Sequence, residues 1–193
     1  MRIIAGEYRS RRIESVPGMD VRPTPDRMRE SLFNILTPLL TDAVFVDAYA
    51  GSGSIGIEAI SRGARKVLFL EKDKAALSVI DANLKLLKVP GNKFAVLRGK
   101  AADHLETIEP ADIIFFDPPY DREKEYAACL EHAKAPLVIA QHSFKLKLPE
   151  STERLTRYRE LKQGDNVLSF YRPAHAVDPV QEAEQFTTVD PDE

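Results

Sequence analysis

The sequence alternates short, mostly apolar runs with amphipathic segments from residue 43 onward. Segments such as 54–62 and 123–134 separate these runs and have the apolar spacing of helices. A strand that is apolar on both faces must be buried on both faces, which requires helices on both sides of a mostly parallel sheet. The pattern therefore predicts an α/β fold. The apolar runs are Val44–Val46, Lys66–Leu70, Phe94–Leu97, Ile113–Phe116 and Leu137–Ala140.

The N-terminal end of the chain departs from this alternation. Residues 1–16 alternate in places between polar and apolar side chains, and Pro17-Gly18 follows them. This pattern predicts a small β-hairpin extension within residues 1–20. Thr24-Pro25 has the sequence of a helix N-cap followed by proline at the first helical position, so a helix is expected from there to about Pro38.

The C-terminal end departs from the alternation as well. Residues 153–162 and 167–171 are strand-like, with a turn and no helix between them. They predict an antiparallel hairpin added to the parallel sheet. We therefore expect three parts: the N-terminal extension 1–20, a main domain 21–172 and a tail 173–193.

Charge is distributed unevenly along the chain. The tail has six acidic residues and no Lys or Arg, and this composition predicts disorder. Without the tail, the net charge of −3 becomes +3 over residues 1–172. The first twelve residues carry four arginines against Glu7 alone, namely Arg2, Arg9, Arg11 and Arg12. These arginines favour a polyanionic partner, or they are simply the solvated face of the hairpin.

Several sequence features bear on the cellular compartment. Cys129 is the only cysteine, so no internal disulfide can form, and we interpret it as a small core residue on a helix. No apolar run reaches the roughly 20 residues of a membrane span. The N-terminus lacks the apolar segment of a secretory signal. Together these features predict a cytoplasmic protein with no membrane partner.

A glycine-rich loop follows the first strand of the predicted sheet. Gly51, Gly53 and Gly56 have the G-x-G-x-x-G spacing, which lets a ligand approach the backbone at a helix N-terminus. Glu71 follows the second strand and can accept hydrogen bonds from both hydroxyls of a ribose. Nicotinamide enzymes share these features. Asp47 favours S-adenosylmethionine instead, because a carboxylate here suits its amino-acid moiety and repels a pyrophosphate.

The segment Asp117-Pro118-Pro119-Tyr120 follows the fourth strand, at the sheet edge where ligands bind in α/β folds. The prolines fix the backbone and leave carbonyl acceptors. Asp117 and the Pro118 carbonyl can accept the two hydrogens of an exocyclic amine, while Tyr120 stacks on the base with an energy of about 1–3 kcal/mol. This arrangement directs the nitrogen lone pair at the methyl donor, so positioning and electrostatics suffice and no metal is needed. The motif predicts methylation of a base amino group.

With these motifs, residues 1–172 resemble the bacterial 16S ribosomal RNA guanine-N2 methyltransferases of the RsmD type. The Asp-Pro-Pro-Tyr motif is common to amino-group methyltransferases, whereas the N-terminal hairpin and the Arg-Pro-Thr segment are specific to this family. The resemblance implies a Rossmann-like class I methyltransferase fold. It is carried by Met1–Gly6, Arg22–Asn34, Ala50–Gly53, Ser61–Ala64, Glu71–Asp73, Asp117–Tyr120, Gly164-Asp165 and Leu168–Tyr171.

The resemblance also implies roles for particular residues. It places Arg22, Thr24 and Arg27 near the cofactor or the target base, although two arginines so close together could also be ordinary surface charges. The chain departs from the family pattern at two positions. It has Lys100 where the family has an aspartate that holds adenine, and Gln141 where the family often has glutamate. Backbone groups around Ala101, or Asp103, are the expected substitutes for that aspartate. The expected cofactor contacts are Thr24, Asp47, Ala50, Gly51, Ser52, Gly53, Glu71, Lys72 and Ala101, and the expected RNA contacts are Arg2, Arg9, Arg11, Arg12, Arg22 and Arg27.

Three alternatives remain open on the sequence alone. An adenine-N6 methyltransferase acting on DNA or RNA would use the same chemistry. A nicotinamide oxidoreductase would share the glycine loop but would leave Asp117–Tyr120 unexplained. A catalytically silent RNA-binding relative would not need Asp117, Gly51 and Glu71. We expect a monomer that acts on 16S ribosomal RNA, either free or within an assembling small ribosomal subunit.

Overall fold

The computed structural model describes residues 1–17, 26–119 and 123–174. Within these residues helices and strands alternate along most of the chain. The helices are α1 (Asp26–Leu40), α2 (Ser54–Ser61), α3 (Lys74–Leu86), a short 3-10 helix (Gly91–Lys93), α4 (Ala101–Thr107) and α5 (Glu123–His132). The strands are β1 (Val44–Ala48), β2 (Lys66–Glu71), β3 (Phe94–Arg98), β4 (Ile113–Phe116), β5 (Leu137–Ser143), β6 (Leu155–Gln163) and β7 (Asn166–Pro173).

The strands form one seven-stranded sheet in the order β3-β2-β1-β4-β5-β7-β6. Strands β1 to β5 are parallel, whereas β7 pairs antiparallel with both β5 and β6. The predicted α/β sheet with a terminal antiparallel hairpin is confirmed. The strand order reverses between β1 and β4, and such a reversal opens a crevice at the carboxyl ends of those two strands.

Two hydrophobic clusters cover the two faces of the sheet. Helices α1, α2 and α3 pack on one face together with residues from the N-terminal segment. Helices α4 and α5 pack on the other face. Neighbouring strand residues point to opposite faces, so Phe45 belongs to the first cluster and Val46 to the second. Burial on both faces explains why the central strands β1, β4 and β5 contain continuous apolar runs.

Three elements differ from the sequence-based expectation. Helix α4 was not expected, because only Ala101 and Leu105 of its 7 residues are buried and so its periodic signal is short. Helix α1 continues past Pro38 to Leu40, since a proline in the last turn removes only one helical hydrogen bond. Strand β5 extends beyond Ala140 into polar residues.

The N-terminal segment forms antiparallel contacts but no regular strand within residues 1–17. A single bridge joins Arg2 and Arg12, and the N–H of Ile13 donates to the Met1 carbonyl at 3.0 Å. The segment is fixed to α2 by Glu58, whose fully buried carboxylate accepts the N–H groups of Ile4 and Ala5 at 2.8 and 3.0 Å. The expected N-cap at Thr24 and the acidic tail beyond residue 174 lie outside the described residues. Among the helices of the described segments, none is both long and apolar enough to cross a membrane.

Candidate active site

The loop between β1 and α2 turns sharply at the carboxyl edge of the sheet. Tyr49, Gly51 and Gly53 have φ angles of 69°, 56° and 78°, and this left-handed conformation is costly for tyrosine but easy for glycine. Gly53 is the N-cap residue of α2 and has no side chain that could accept a helix N–H group. Instead Oδ2 of Asp47 accepts the N–H of Gly56 at 2.8 Å, inside the first turn of the helix. Asp47 therefore joins the end of β1 to the start of α2.

Asp47 carries its carboxyl group in an unfavourable place for a negative charge. Its side chain is buried, and burial raises its pKa from the ordinary value of 3.8 to about 7. The hydrogen bond from Gly56 lowers the pKa, while the Glu71 carboxylate raises it further. At neutral pH the carboxyl group is thus close to its titration midpoint. Asp47 therefore contributes less negative charge to the loop than a fully ionised aspartate would.

Glu71 ends β2 and is held by backbone donors alone. Its Oε2 accepts the N–H of Gly51 at 2.9 Å, while Oε1 accepts the N–H groups of Lys72 and Asp73 at 2.8 and 2.9 Å. A Cβ placed on Gly51 would meet nothing within 4 Å, so space is open beside this fixed carboxylate. Each carboxylate oxygen has a second lone pair for a further donor. The Glu71 carboxylate and the open space at Gly51 thus fit the ribose hydroxyls of S-adenosylmethionine.

Asp117 lies one residue beyond β4, next to the end of β1. The register pairs Ala48 with Phe116, so the motif begins where the glycine loop begins. Oδ2 of Asp117 accepts a hydrogen bond from Nε2 of Gln141 at 2.9 Å. The carbonyl oxygen of Pro118 lies 3.1 Å from the hydroxyl oxygen of Tyr126. Both proposed acceptors of an amine are therefore positioned by neighbouring side chains.

The carboxyl group of Asp117 is also destabilised in its charged form. Burial raises its pKa from 3.8 to about 8, and the neighbouring Asp47 adds to this effect. Groups with strongly raised pKa values in a cleft are typical of reaction centres. A carboxylate with this pKa is a better proton acceptor than an ordinary aspartate, which suits a group that receives a proton from an amine.

The remaining predicted cofactor residues meet at the same edge. Ser52 and Gly53 complete the loop, and the N–H of Gly53 donates to the Ala50 carbonyl at 2.7 Å. Lys72 contributes its backbone to the Glu71 site, while its ammonium group pairs with Glu125 at 3.3 Å. Ala101 is buried at the start of α4, just after β3. Because Glu71 pairs with Arg98 across the β2–β3 register, the start of α4 lies near the expected ribose position.

The residues predicted to contact RNA are exposed wherever the structure describes them. Arg2, Arg9, Arg11 and Arg12 are exposed on the N-terminal segment, and Arg27 is exposed in the first turn of α1. Three further predicted site residues, Thr24, Arg22 and Tyr120, lie outside the described residues. Pro119 is exposed and Pro118 is buried.

Sequence reasoning assigned no role to two residues that shape this site. Gln141 directly follows the apolar run of β5, and only the sheet register brings it to Asp117. Asn83 is buried on α3 and donates through Nδ2 to the Ser52 carbonyl at 2.9 Å. A polar residue on the apolar face of a helix is the signal that could have identified Asn83.

The sheet order, with Glu71 at the end of β2 and Asp117 just after β4 on the two sides of β1, is that of a class I methyltransferase dependent on S-adenosylmethionine. The family model described as Conserved hypothetical protein 95 matches residues 1–172, and the chain belongs to this family. This agrees with the resemblance to the RsmD type.

Individual relatives agree with this assignment. The protein named "Ribosomal RNA small subunit methyltransferase D" from Escherichia coli (strain K12) is 39% identical over 178 residues, covering 89% of each chain. YlbH from Bacillus subtilis (strain 168) is 31% identical over 185 residues, or 89% of this chain and 98% of YlbH. Among solved structures, yhhF from Escherichia coli superposes with a TM-score of 0.74 at 33% identity, covering 90% of this chain and 97% of yhhF.

Proposed function

We propose that this enzyme transfers the methyl group of S-adenosylmethionine to the exocyclic N2 amino group of a guanine in the 16S ribosomal RNA of the small subunit. The observation that carries the proposal is the Asp117 carboxyl, held by Gln141 at 2.9 Å where β4 meets the glycine loop. The ribosomal target is supported by the name of the Escherichia coli relative, which is 39% identical to this chain. Because such RNA is made and modified in the cytoplasm, we place the reaction there.

The residues of the glycine loop would hold the cofactor at the edge of the sheet. Glu71 accepts the ribose hydroxyls, and the open space at Gly51 admits the ribose beside the backbone. Backbone groups at Lys72 and Ala101 flank the adenine side of this site. When bound, S-adenosylmethionine supplies a methyl group on a positively charged sulfur, which is a strong electrophile.

Asp117 and Pro118 would act on the substrate amine. An exocyclic amine is a weak nucleophile because its lone pair is delocalised into the base. When the Asp117 carboxylate and the Pro118 carbonyl each accept one hydrogen, the lone pair is directed away from the ring. As the nitrogen gains a methyl group it becomes positively charged, and the adjacent carboxylate stabilises that charge in a partly buried site. The surplus proton then passes to Asp117, whose raised pKa of about 8 suits this role.

The exposed arginines of the N-terminal segment and Arg27 are proposed to bind RNA phosphates. The segment is fixed to the body of the protein, because Ile3, Tyr8 and Ile13 belong to the hydrophobic core. Its arginines are therefore presented on an ordered surface. Phosphate contacts of this kind fix the orientation of the RNA and add affinity that decreases with salt concentration. We propose that the enzyme acts as a monomer.

The test is transfer of labelled methyl groups from S-adenosylmethionine to small ribosomal subunits, naked 16S RNA and DNA. Nucleoside analysis should recover N2-methylguanosine from one or both RNA substrates. Recovery of N6-methyladenosine, or labelling of DNA alone, would contradict the proposal. The comparison of subunits with naked RNA establishes which of them is the substrate.

A pair of variants connects the activity to the site. Asp117→Ala should abolish methyl transfer while S-adenosylhomocysteine still binds, because Asp117 faces the base and not the ribose. Asp81→Ala is the matched control, since Asp81 is an exposed acid whose salt bridge with Lys85 lies on the surface of α3. An equal loss of cofactor affinity in Asp117→Ala would contradict the assigned role.

A further inference from the structure

Gln141 is the one side chain of β5 that the structure shows bonded to the reaction motif. Its side chain is buried, with 1% of its surface exposed, and its Nε2 lies 2.9 Å from Oδ2 of Asp117. The contact follows from the sheet register, which pairs Phe116 with Ala140 and so places the next residue of each strand side by side. A buried amide in an apolar strand is costly unless it is hydrogen-bonded, so its presence here requires a reason.

The backbone at Gln141 is held in place as firmly as its side chain. The hydroxyl of Tyr126, from α5, lies 2.8 Å from the Gln141 carbonyl and 3.1 Å from the Pro118 carbonyl. A hydroxyl has one hydrogen, and the shorter distance favours donation to Gln141. Tyr126 thus fixes the backbone of Gln141, and its hydroxyl oxygen lies close to the Pro118 carbonyl of the reaction motif.

We propose that Gln141 is a positioning residue for methyl transfer, which orients the Asp117 carboxylate and favours its ionised form. The proposal rests on the proposed function. Donation to Oδ2 fixes the plane of the carboxylate and leaves Oδ1 for the substrate amine. A hydrogen bond donated to the charged form of an acid lowers its pKa, typically by one to two units. The amide supplies this without adding a charge to the site.

The surroundings of Asp117 disfavour its ionised form, which a neutral donor such as Gln141 would stabilise. Burial and the Asp47 carboxyl both raise the pKa of Asp117, from 3.8 to about 8. His142, beside Gln141, bonds to Ser169 instead, and burial lowers its pKa, so it supplies no positive charge. Among the described residues, the titratable groups around the site include those of β1, the glycine loop, β2, the residue after β2, α5 and β5, namely Asp47, Tyr49, Glu71, Lys72, Glu125, Tyr126, Cys129 and His142.

The experiment compares the pH dependence of methyl transfer in three enzymes under saturating substrates. Gln141→Met keeps the size of the side chain and removes the donor. We expect its kcat to be about tenfold below wild type at pH 7 and within about twofold above pH 9.5, because the apparent pKa rises by about one unit. Gln141→Glu places a second carboxyl beside Asp117, and its acidic limb should move further to alkaline pH. Affinity for S-adenosylhomocysteine should stay unchanged in both variants.

Gln163→Met is the matched control, since it removes a similar amide hydrogen bond, to Ser31 at 2.7 Å, at the far end of β6. A ratio of variant to wild-type kcat that is the same at every pH would overturn the proposal, because a structural defect reduces activity uniformly. A direct titration of the Asp117 carboxyl carbon by NMR needs no RNA. An unchanged Asp117 pKa in Gln141→Met would refute the inference, whereas an inactive wild-type enzyme would refute the proposed function alone.

Discussion

Replacement of Asp47 by asparagine should stabilise the protein increasingly as pH rises. Asparagine has the same shape as aspartate, and its Oδ1 can still accept the N–H of Gly56, which Asp47 accepts at 2.8 Å. The substitution therefore removes the buried charge while it keeps the hydrogen bond that starts α2. Any change in stability with pH then reports the cost of ionising Asp47 in the folded state.

The sign and size of the effect follow from the raised pKa. Burial and Glu71 raise the pKa of Asp47 from 3.8 to about 7, so the folded protein binds more protons than the unfolded chain between these values. The free energy of unfolding of the wild type must fall as pH rises through that window. A shift of about three units has a ceiling near 4 kcal/mol. Because buried sites relax and admit water, the advantage of Asp47→Asn should widen by about 1–3 kcal/mol between pH 5 and pH 8.

The measurement is urea unfolding of both proteins at pH 5, 6, 7 and 8. Asp47→Ala provides the contrast, since it removes both the charge and the acceptor, and the N–H of Gly56 then loses its partner at a cost of about 1–3 kcal/mol. A difference between wild type and Asp47→Asn that stays constant with pH would refute the argument. So would an asparagine variant that becomes relatively less stable as pH rises.

Three further substitutions test other parts of the structure. Glu71→Gln should weaken S-adenosylhomocysteine binding by about 10–100-fold in calorimetry, because hydrogen bonds to a charged acceptor are lost; an unchanged affinity would remove Glu71 from the ribose site. Glu58→Gln should cost about 3–5 kcal/mol of stability, because it breaks the buried ion pair between Glu58 and Arg62, whose atoms lie 2.7 Å apart. Amide exchange at the N-terminal segment should accelerate, and protection equal to wild type would contradict the anchoring. Gly56→Ala should lower the free energy of unfolding in urea by about 1–3 kcal/mol, since a Cβ would lie 2.3 Å from the Phe69 ring. An unchanged free energy of unfolding would show that this ring moves freely.

The sheet could be predicted because its signal is local. Each of the five parallel strands contains a short apolar run, and in β1, β4 and β5 the cause of that pattern is burial on both faces of the sheet. The N-terminal segment shows what local signals do not supply. Its alternation predicts a hairpin, and Arg2 and Arg12 form an antiparallel bridge. Nothing in that alternation indicates that the backbone donors of Ile4 and Ala5 bond to Glu58 of α2. A contact across more than fifty residues leaves no pattern in either segment.

The candidate site also contains residues that local sequence identifies and residues that it does not. Gly51, Glu71 and Asp117 each follow a strand, so their place at the sheet edge can be inferred from neighbouring residues. Gln141 could not be assigned, since its contact with Asp117 depends on the register between β4 and β5. A one-residue shift of that register would turn Gln141 to the opposite face of the sheet.

Asn83 joins the N-terminal segment to the glycine loop through hydrogen bonds. Its Nδ2 donates to the Ser52 carbonyl at 2.9 Å and to the Glu14 carbonyl at 3.1 Å, while its Oδ1 accepts the N–H of Glu14 at 2.8 Å. One buried amide therefore bonds both the glycine loop and the segment that carries Arg11 and Arg12. A displacement of either segment must break or strain a hydrogen bond of the other, and such bonds are costly to leave unmade in a buried site. The arginines are thus held at a fixed position relative to the glycine loop, as a surface that aligns a polyanion with the reaction centre requires.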